Sequence, residues 1–204
     1  MKLGVVCRFR PVHLAHEALL EALCELAGPG GQLLVGVGSS NRYDRRNPFT
    51  GAETRALLEV LLHGRPGPAI RLPAIRLIDV PDLGDGPRWA AMVAGLFGPL
   101  DRFVTANPYV ASLLAGTYAL AHPRDVVPRA RHVPVSGTLV RRAMARGEPW
   151  RHLVPPAVAA LLERDHLVDR FRREFGLSTL ALETDGAPTR APTTEQEKDH
   201  VLLG

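Results

Sequence analysis

The 204 residues are 46% hydrophobic and 23% charged, the balance of one well-cored globular domain. The formal charge is +4 and the aromatic share only 5%, which argues against a nucleic-acid surface, where clustered basic residues interleave with aromatics. Cys7 and Cys24, the only cysteines, lack metal-ligand or C-x-x-C spacing and read as buried free thiols in a reducing cytoplasm. No apolar stretch approaches membrane-spanning length, and the amino-terminal run ends at Arg8, too soon for a secretory leader. All basic side chains but Lys2 and Lys198 are arginine, the better fork for phosphate oxygens. With Ala, Gly and Pro also abundant, base composition is the weightier cause of that excess.

In chain order, Leu3 to Cys7 is an apolar run that predicts a buried strand. Arg8 to Val12 form a tight connection, and after His13 the apolar period becomes helical, through Leu19, Leu20, Leu23 and Leu26 to about Ala27. His13 and His16 lie one turn apart at the helix start, beside unpaired N–H groups and the positive end of the helix dipole, with Arg8 and Arg10 adding charge. That is an anion site suited to phosphate. The same pair could equally be a solvated helix face or half of a metal site needing further ligands. Gly28 to Gly31 stop the helix, and Leu33 to Val37 predict a second strand, giving a parallel βαβ unit. Ligands of such sheets sit at the carboxyl ends of the strands, where the long polar Ser39–Phe49 loop carries Arg42, Arg45 and Arg46.

Thr50 to His63 predict a helix opened by a Thr50/Glu53 capping box. Gly64 to Pro73 read as a connection, Ile75 to Val80 as a third strand with Asp79 and Asp82 at the ligand edge, and Trp89 to Leu96 as a helix. Arg102–Thr105 predict a fourth strand, Tyr109–Leu114 a helix, Ala119–Ala121 a weak strand or loop, and Arg131–Val135 a last strand delivering Ser136. Ser136 caps a further helix, and Arg141, about one turn on, can reach an anion held at its start; an ordinary capped helix reads the same way. Phe103, Tyr109 and Tyr118 are expected in the core. Pro155–Leu162 and Asp165–Phe175 predict two terminal helices, and the composition from Glu183 to His200 predicts a disordered tail or linker.

Several stretches match one family in order. CRFRPVHLAH at Cys7–His16 resembles the GRFQPxHxGH signature of the HxGH nucleotidyltransferases, with Cys7 for the first glycine, Arg10 for glutamine and Ala15 for the second glycine. NPFT at Asn47–Thr50 resembles the NPFTxxER element of archaeal-type nicotinamide mononucleotide (NMN) adenylyltransferases, with Glu53-Thr54 for ER and Arg55 one place late. Pro81-Asp82 with Trp89, Thr105-Ala106-Asn107-Pro108, VSGTLVRRAM at Val135–Met144, and Gly147–Trp150 with Val154-Pro155 resemble that family's later elements. The resemblance covers roughly Lys2 to Leu177.

The resemblance implies an α/β fold: a Rossmann-like parallel sheet with helices on both faces, in a nucleotidyltransferase domain over 1–177 whose small helical carboxyl-terminal part spans 151–177; the stretch over 178–204 lies outside it and, by composition, is expected to be a flexible tail. It implies adenylyl transfer, in which ATP and NMN give NAD and pyrophosphate by in-line attack on the α-phosphate with no covalent intermediate. His13, His16, Arg8 and Arg141 are the implied catalytic residues. Phe9, Gly38, Ser136 and Thr138 join them around ATP, and Ser39, Arg46, Asp82, Trp89 and Asn107 are implied for NMN. The implied cofactor is Mg²⁺, with no side chain assigned as a metal ligand. The implied setting is a cytoplasmic homo-oligomer taking small-molecule substrates, with no nucleic-acid or membrane partner. The alternatives are another HxGH nucleotidyltransferase using CTP or a different acceptor, a nucleotide-binding regulator that has lost catalysis, and a basic RNA-binding module.

Overall fold

The structure, a computed structural model, describes residues 1–63 and 73–184. Five strands, β1 (Lys2–Cys7), β2 (Gln32–Gly38), β3 (Ala74–Val80), β4 (Arg102–Val104) and β5 (Leu120–Ala121), form one sheet in the order β3-β2-β1-β4-β5. Every neighbouring pair is parallel, with Gly4 opposite Leu34 and Phe103 opposite Gly4 on the other side. β1 is therefore the middle strand, buried on both faces, which is why its sequence is a continuous apolar run.

Alternate strand residues point to opposite faces and divide the core in two. Leu3, Val5, Cys7, Leu33, Val35 and Val37 pack on one face with α1 (Leu14–Ala27) and α2 (Gly51–His63). Leu34, Ile78, Val80 and Phe103 pack on the other with α3 (Gly86–Phe97) and the end of α4 (Pro108–Leu114). On that second face Gly4 and Gly36 supply no side chain. A β-carbon at Gly36 would lie 2.7 Å from Val6 Cγ2 and 2.9 Å from Val80 Cγ2, and one at Gly4 would lie 2.5 Å from Leu100 Cδ1. Phe97, the last residue of α3, stands 3.1 Å from both of those positions, so α3 rests almost directly on strand backbone.

The elements follow the sequence closely where the signals are local. Thr50 and Glu53 form the expected capping box, with the Thr50 N–H donating to Glu53 Oε2 at 2.8 Å and the Glu53 N–H to Thr50 Oγ1 at 3.2 Å. The helix expected from Trp89 begins three residues earlier, because Asp85 caps it by accepting from the Arg88 N–H and Pro87 is preset for the first turn. The strand expected over Arg131–Val135 is absent. Arg129–Arg131 make a 3₁₀ turn after α5 (Pro123–Val126), and the following residues cross to α6 (Gly137–Arg146) unpaired with the sheet. Pro134 has no N–H for a ladder, and the Val135 N–H turns back to the Val133 carbonyl.

The carboxyl-terminal part comprises α7 (Pro156–Arg164), α8 (Leu167–Phe171), a wider π-type turn over Arg172–Gly176, and α9 (Leu177–Thr184). Leu161, Leu162, Val168 and Phe171 are buried as expected and extend the first core cluster. α9 thus runs seven residues past Leu177, into the 178–204 stretch expected to be a tail. The remainder of that tail, from 185 on, and nearly all of the Gly64–Pro73 connection lie outside the described residues. Among the described residues no helix is long and apolar enough to cross a membrane.

Candidate active site

β1 ends at Cys7 and delivers Arg8 to solvent at the carboxyl edge of the sheet. Phe9 then takes a left-handed backbone (φ 55°) and turns its ring inward, where it is buried at 4.7 Å from the His16 ring. A phenylalanine in that region is strained, and strain of this kind collects at functional turns. Phe9, expected among the nucleotide contacts, thus packs its ring against the His16 imidazole and leaves its backbone at the turn.

His13 is the N-cap of α1 and His16 stands one turn in. Their rings stack at 3.6 Å, both are buried, and the His13 N–H donates to His16 Nδ1 at 3.3 Å. That bond leaves the neutral His16 ring with its proton on Nε2. Burial first, then the Arg141 charge, holds His13 down at about 3; burial and His13 hold His16 well below the usual value. Both are neutral imidazoles at neutral pH, and neither ring nitrogen of His13 has a hydrogen-bond partner among the described residues. A buried donor without a partner is costly, which marks this as a place built to meet a ligand.

Ser136 caps α6, its hydroxyl accepting from the Leu139 N–H at 3.2 Å. Arg141 reaches back, donating through Nη1 to the Arg10 carbonyl at 2.7 Å and through Nη2 to Thr138 Oγ1 at 3.3 Å. Burial, with Arg8 and Arg46 as positive neighbours, lowers its guanidinium to about 10, so it remains charged at neutral pH. Two helix starts and the His13, His16 and Arg141 side chains converge, as the sequence suggested. Arg10 departs from expectation. It is buried and does not join the anion site: Nη1 donates to the Arg42 carbonyl and Nη2 to the Ser39 carbonyl, each at 2.9 Å. It ties the histidine turn to the next loop.

Beside this constellation lies a cavity of about 680 Å³. Cys7, Arg8, Gly38 and Ser39 form one side, Asp82 and the start of α3 with Trp89 another, and Thr105–Asn107 with Tyr109 the rest. Gly38 leaves room there, since a β-carbon would press on the Cys7 carbonyl oxygen at 3.2 Å. Ser39 is left-handed (φ 51°). Trp89 is half-buried, one side on the core and the other on the cavity. Asn107 spends its oxygen capping α4, accepting from the Tyr109 N–H at 2.9 Å, so its amide nitrogen is what it offers a ligand. Asp82 lines the cavity while binding Asn41 through its backbone and Arg42 through its carboxylate at 3.4 Å.

Three expectations change here. Tyr109, expected in the core, is 61% exposed and lines the cavity, whereas Phe103 and Tyr118 are buried. Asp79 turns away to pair with Arg55 at 3.0 Å, which accounts for Arg55 as a tie to β3. Arg46 does not line the cavity; it is exposed on the loop, with its charge felt by Arg141. Tyr109 was missed because an aromatic in a short helix carries the same apolar signal whether it faces core or cavity. The TANP element just before it was the available clue.

No protein-family model matches the chain. The nicotinamide-nucleotide adenylyltransferase of Methanoculleus marisnigri is 33% identical over 170 residues, spanning 83% of this chain and 94% of the relative. The chain belongs to the nicotinamide-nucleotide adenylyltransferase family. The adenylyltransferase of the same name from Thermococcus kodakarensis is 30% identical over 168 residues, 82% of this chain and 85% of that one. Among solved structures, a bifunctional NMN adenylyltransferase/ADP ribose pyrophosphatase from Francisella tularensis superposes with a TM-score of 0.66 at 13% identity. The match takes in 96% of this chain but 58% of that larger protein, and the likeness is one of fold. The nicotinamide-nucleotide adenylyltransferase family therefore accounts for the parallel sheet and for the motifs gathered at its carboxyl edge.

Proposed function

We propose that the protein transfers the adenylyl group of ATP to NMN, giving NAD and pyrophosphate. The observation that carries this reading is the adjacency of an anion-binding constellation, His13, His16 and Arg141 at two helix starts, to a cavity walled by Trp89 and Tyr109. In it, the α- to γ-phosphates lie against the histidine turn and the start of α6, where Ser136 and Thr138 stand. The pyridine ring stacks on Trp89, a contact worth ~1–3 kcal/mol by analogy with base stacking. Asp82, Asn107 and Ser39 hold the ribose and amide, and Arg46 meets the mononucleotide phosphate from the loop.

A phosphate oxygen of NMN attacks the α-phosphorus in line. The new P–O bond forms as the bond to the β-phosphate bridging oxygen breaks, and pyrophosphate leaves with that electron pair. The attacking phosphate is already ionised, so neither a general base nor a protein nucleophile is required. Neutral imidazoles donate hydrogen bonds without a charge to desolvate, and Arg141 and Arg8 offset the charge that develops on the phosphates. Among the described residues no group of three or more His, Cys, Asp or Glu is placed to hold a metal ion. The Mg²⁺ of this proposal enters on the phosphates, as part of the ATP substrate. A cytoplasmic, homo-oligomeric enzyme belongs to the same reading and rests on the family resemblance.

The test is one assay with ATP, Mg²⁺ and a panel of phosphate acceptors, measuring pyrophosphate and dinucleotide together. NMN is expected to yield both. ATP binding without pyrophosphate release would overturn the reading in favour of a regulator. In the same assay His16→Ala should lower kcat by roughly a hundredfold or more with the fold intact by circular dichroism.

A further inference from the structure

The loop from Ser39 to Thr50, which carries Arg42, Arg45 and Arg46, is fastened from two sides. Arg10 holds its first half through the Ser39 and Arg42 carbonyls. Its second half is held by the far end of the chain. Arg170 forks onto the Glu53 carboxylate, with Nη2 at 2.7 Å from Oε2, and the same nitrogen donates to the Pro48 carbonyl at 3.3 Å. Its guanidinium also lies 5.6 Å over the Tyr43 ring. Tyr43 donates its hydroxyl proton to Glu174 and sets its ring edge-on against Phe175 at 5.2 Å. Beneath these, the buried rings of Phe49 and Phe171 meet at 6.3 Å. Arg170 and Glu53 are each about a quarter exposed, at 24% and 23%, so this is a partly desolvated two-pronged pair rather than a loose surface contact.

We propose that the carboxyl-terminal helix, through Arg170 and Tyr43, is the positioning element that sets the Arg46 loop for the mononucleotide phosphate. The inference rests on the adenylyl-transfer reading above. Arg46 and its neighbours sit on a polar stretch with one small antiparallel bridge, Asp44 to Asn47, as its own secondary structure. A guanidinium on such a loop meets a phosphate productively only if the backbone beneath it is fixed. Arg170 and Glu174 supply that fixity by holding Glu53, Pro48 and Tyr43, from a helical segment that contributes no residue to the cavity lining.

The test is a double-mutant cycle between Arg170→Met and Arg46→Ala in the full chain, with steady-state kinetics in both substrates. Arg170→Met should raise KM for NMN about tenfold and leave KM for ATP within about twofold. In the Arg46→Ala background the same change should add little, because its effect passes through Arg46. Arg170→Lys should restore part of the loss by keeping one charged contact. Tyr43→Phe keeps both ring contacts and should raise the same KM about threefold, a result available even where Arg170→Met fails to fold. An unchanged KM for NMN in Arg170→Met and Tyr43→Phe overturns the proposal, as do losses that multiply in the double variant. A wild-type chain that forms no dinucleotide overturns instead the reading of the reaction on which the proposal stands.

Discussion

At the scale of single residues the site relies on charge state. His13 and His16 are buried as neutral rings beside Arg141, in a place where an imidazolium would be doubly penalised. In the unfolded chain each returns to its ordinary value of 6.5. The unfolded state therefore binds more protons below that pH, so their contribution is complete above 6.5 and is lost as pH falls, for His13 down towards about 3. Substrate-free protein should show a melting temperature that declines from pH 6.5 to 5, at up to about 1.4 kcal/mol per pH unit for each histidine. His16→Asn, which keeps an acceptor for the His13 N–H, should flatten that decline, as read by thermal melts across the window; an equal slope in both proteins would show that other groups carry it. The pairing of the histidines was legible from their spacing and from the helix that begins between them. The role of Arg10 was not, because its partners are carbonyls 29 and 32 residues away and no side-chain pattern records a carbonyl.

Among elements, legibility follows the range of the interaction. The Thr50/Glu53 box, the Ser136 cap and the Gly28–Gly31 stop are decided within a few residues and stand where the sequence put them. The strand expected at Arg131–Val135 does not form, because Pro134 removes a ladder donor in the middle of the segment. The Arg170–Glu53 fork joins positions 117 apart, and only the packed helices reveal it. The seating of α3 is likewise invisible beforehand, since a glycine in a strand reads as a weakness until its neighbour is known. Gly36→Ala should destabilise the protein by about 1–3 kcal/mol, since the added methyl meets Val6 and Val80 inside contact distance. Urea unfolding measures it, and a shift of a few tenths of a kcal/mol would mean that α3 gives way freely.

For the whole molecule, the order of the strands decides where the chemistry can be. With β1 in the centre, the turn after it faces α6 on one side and the loops after β2, β3 and β4 on the other. Arg8 is the cavity residue nearest in sequence to the histidine pair, and it stands where the two halves of the site meet. Trp89→Ala should therefore raise KM for NMN with little change for ATP, while Arg8→Ala should impair both and lower kcat. Initial-rate kinetics with each substrate varied in turn separates these outcomes, and an equal effect of Trp89→Ala on the two Michaelis constants would contradict the division. The fold class was readable from alternating strand and helix signals, but the sheet order was not, because it depends on which strands the crossovers bring side by side. That order has a further result for how such a protein diversifies. In the proposed reading, acceptor recognition is written on loops that leave β2, β3 and β4, while the nucleotide donor is gripped by the turn after β1 and by α6. New acceptors can be recruited by redrafting the former, one loop at a time, while the engine that activates the donor is inherited intact.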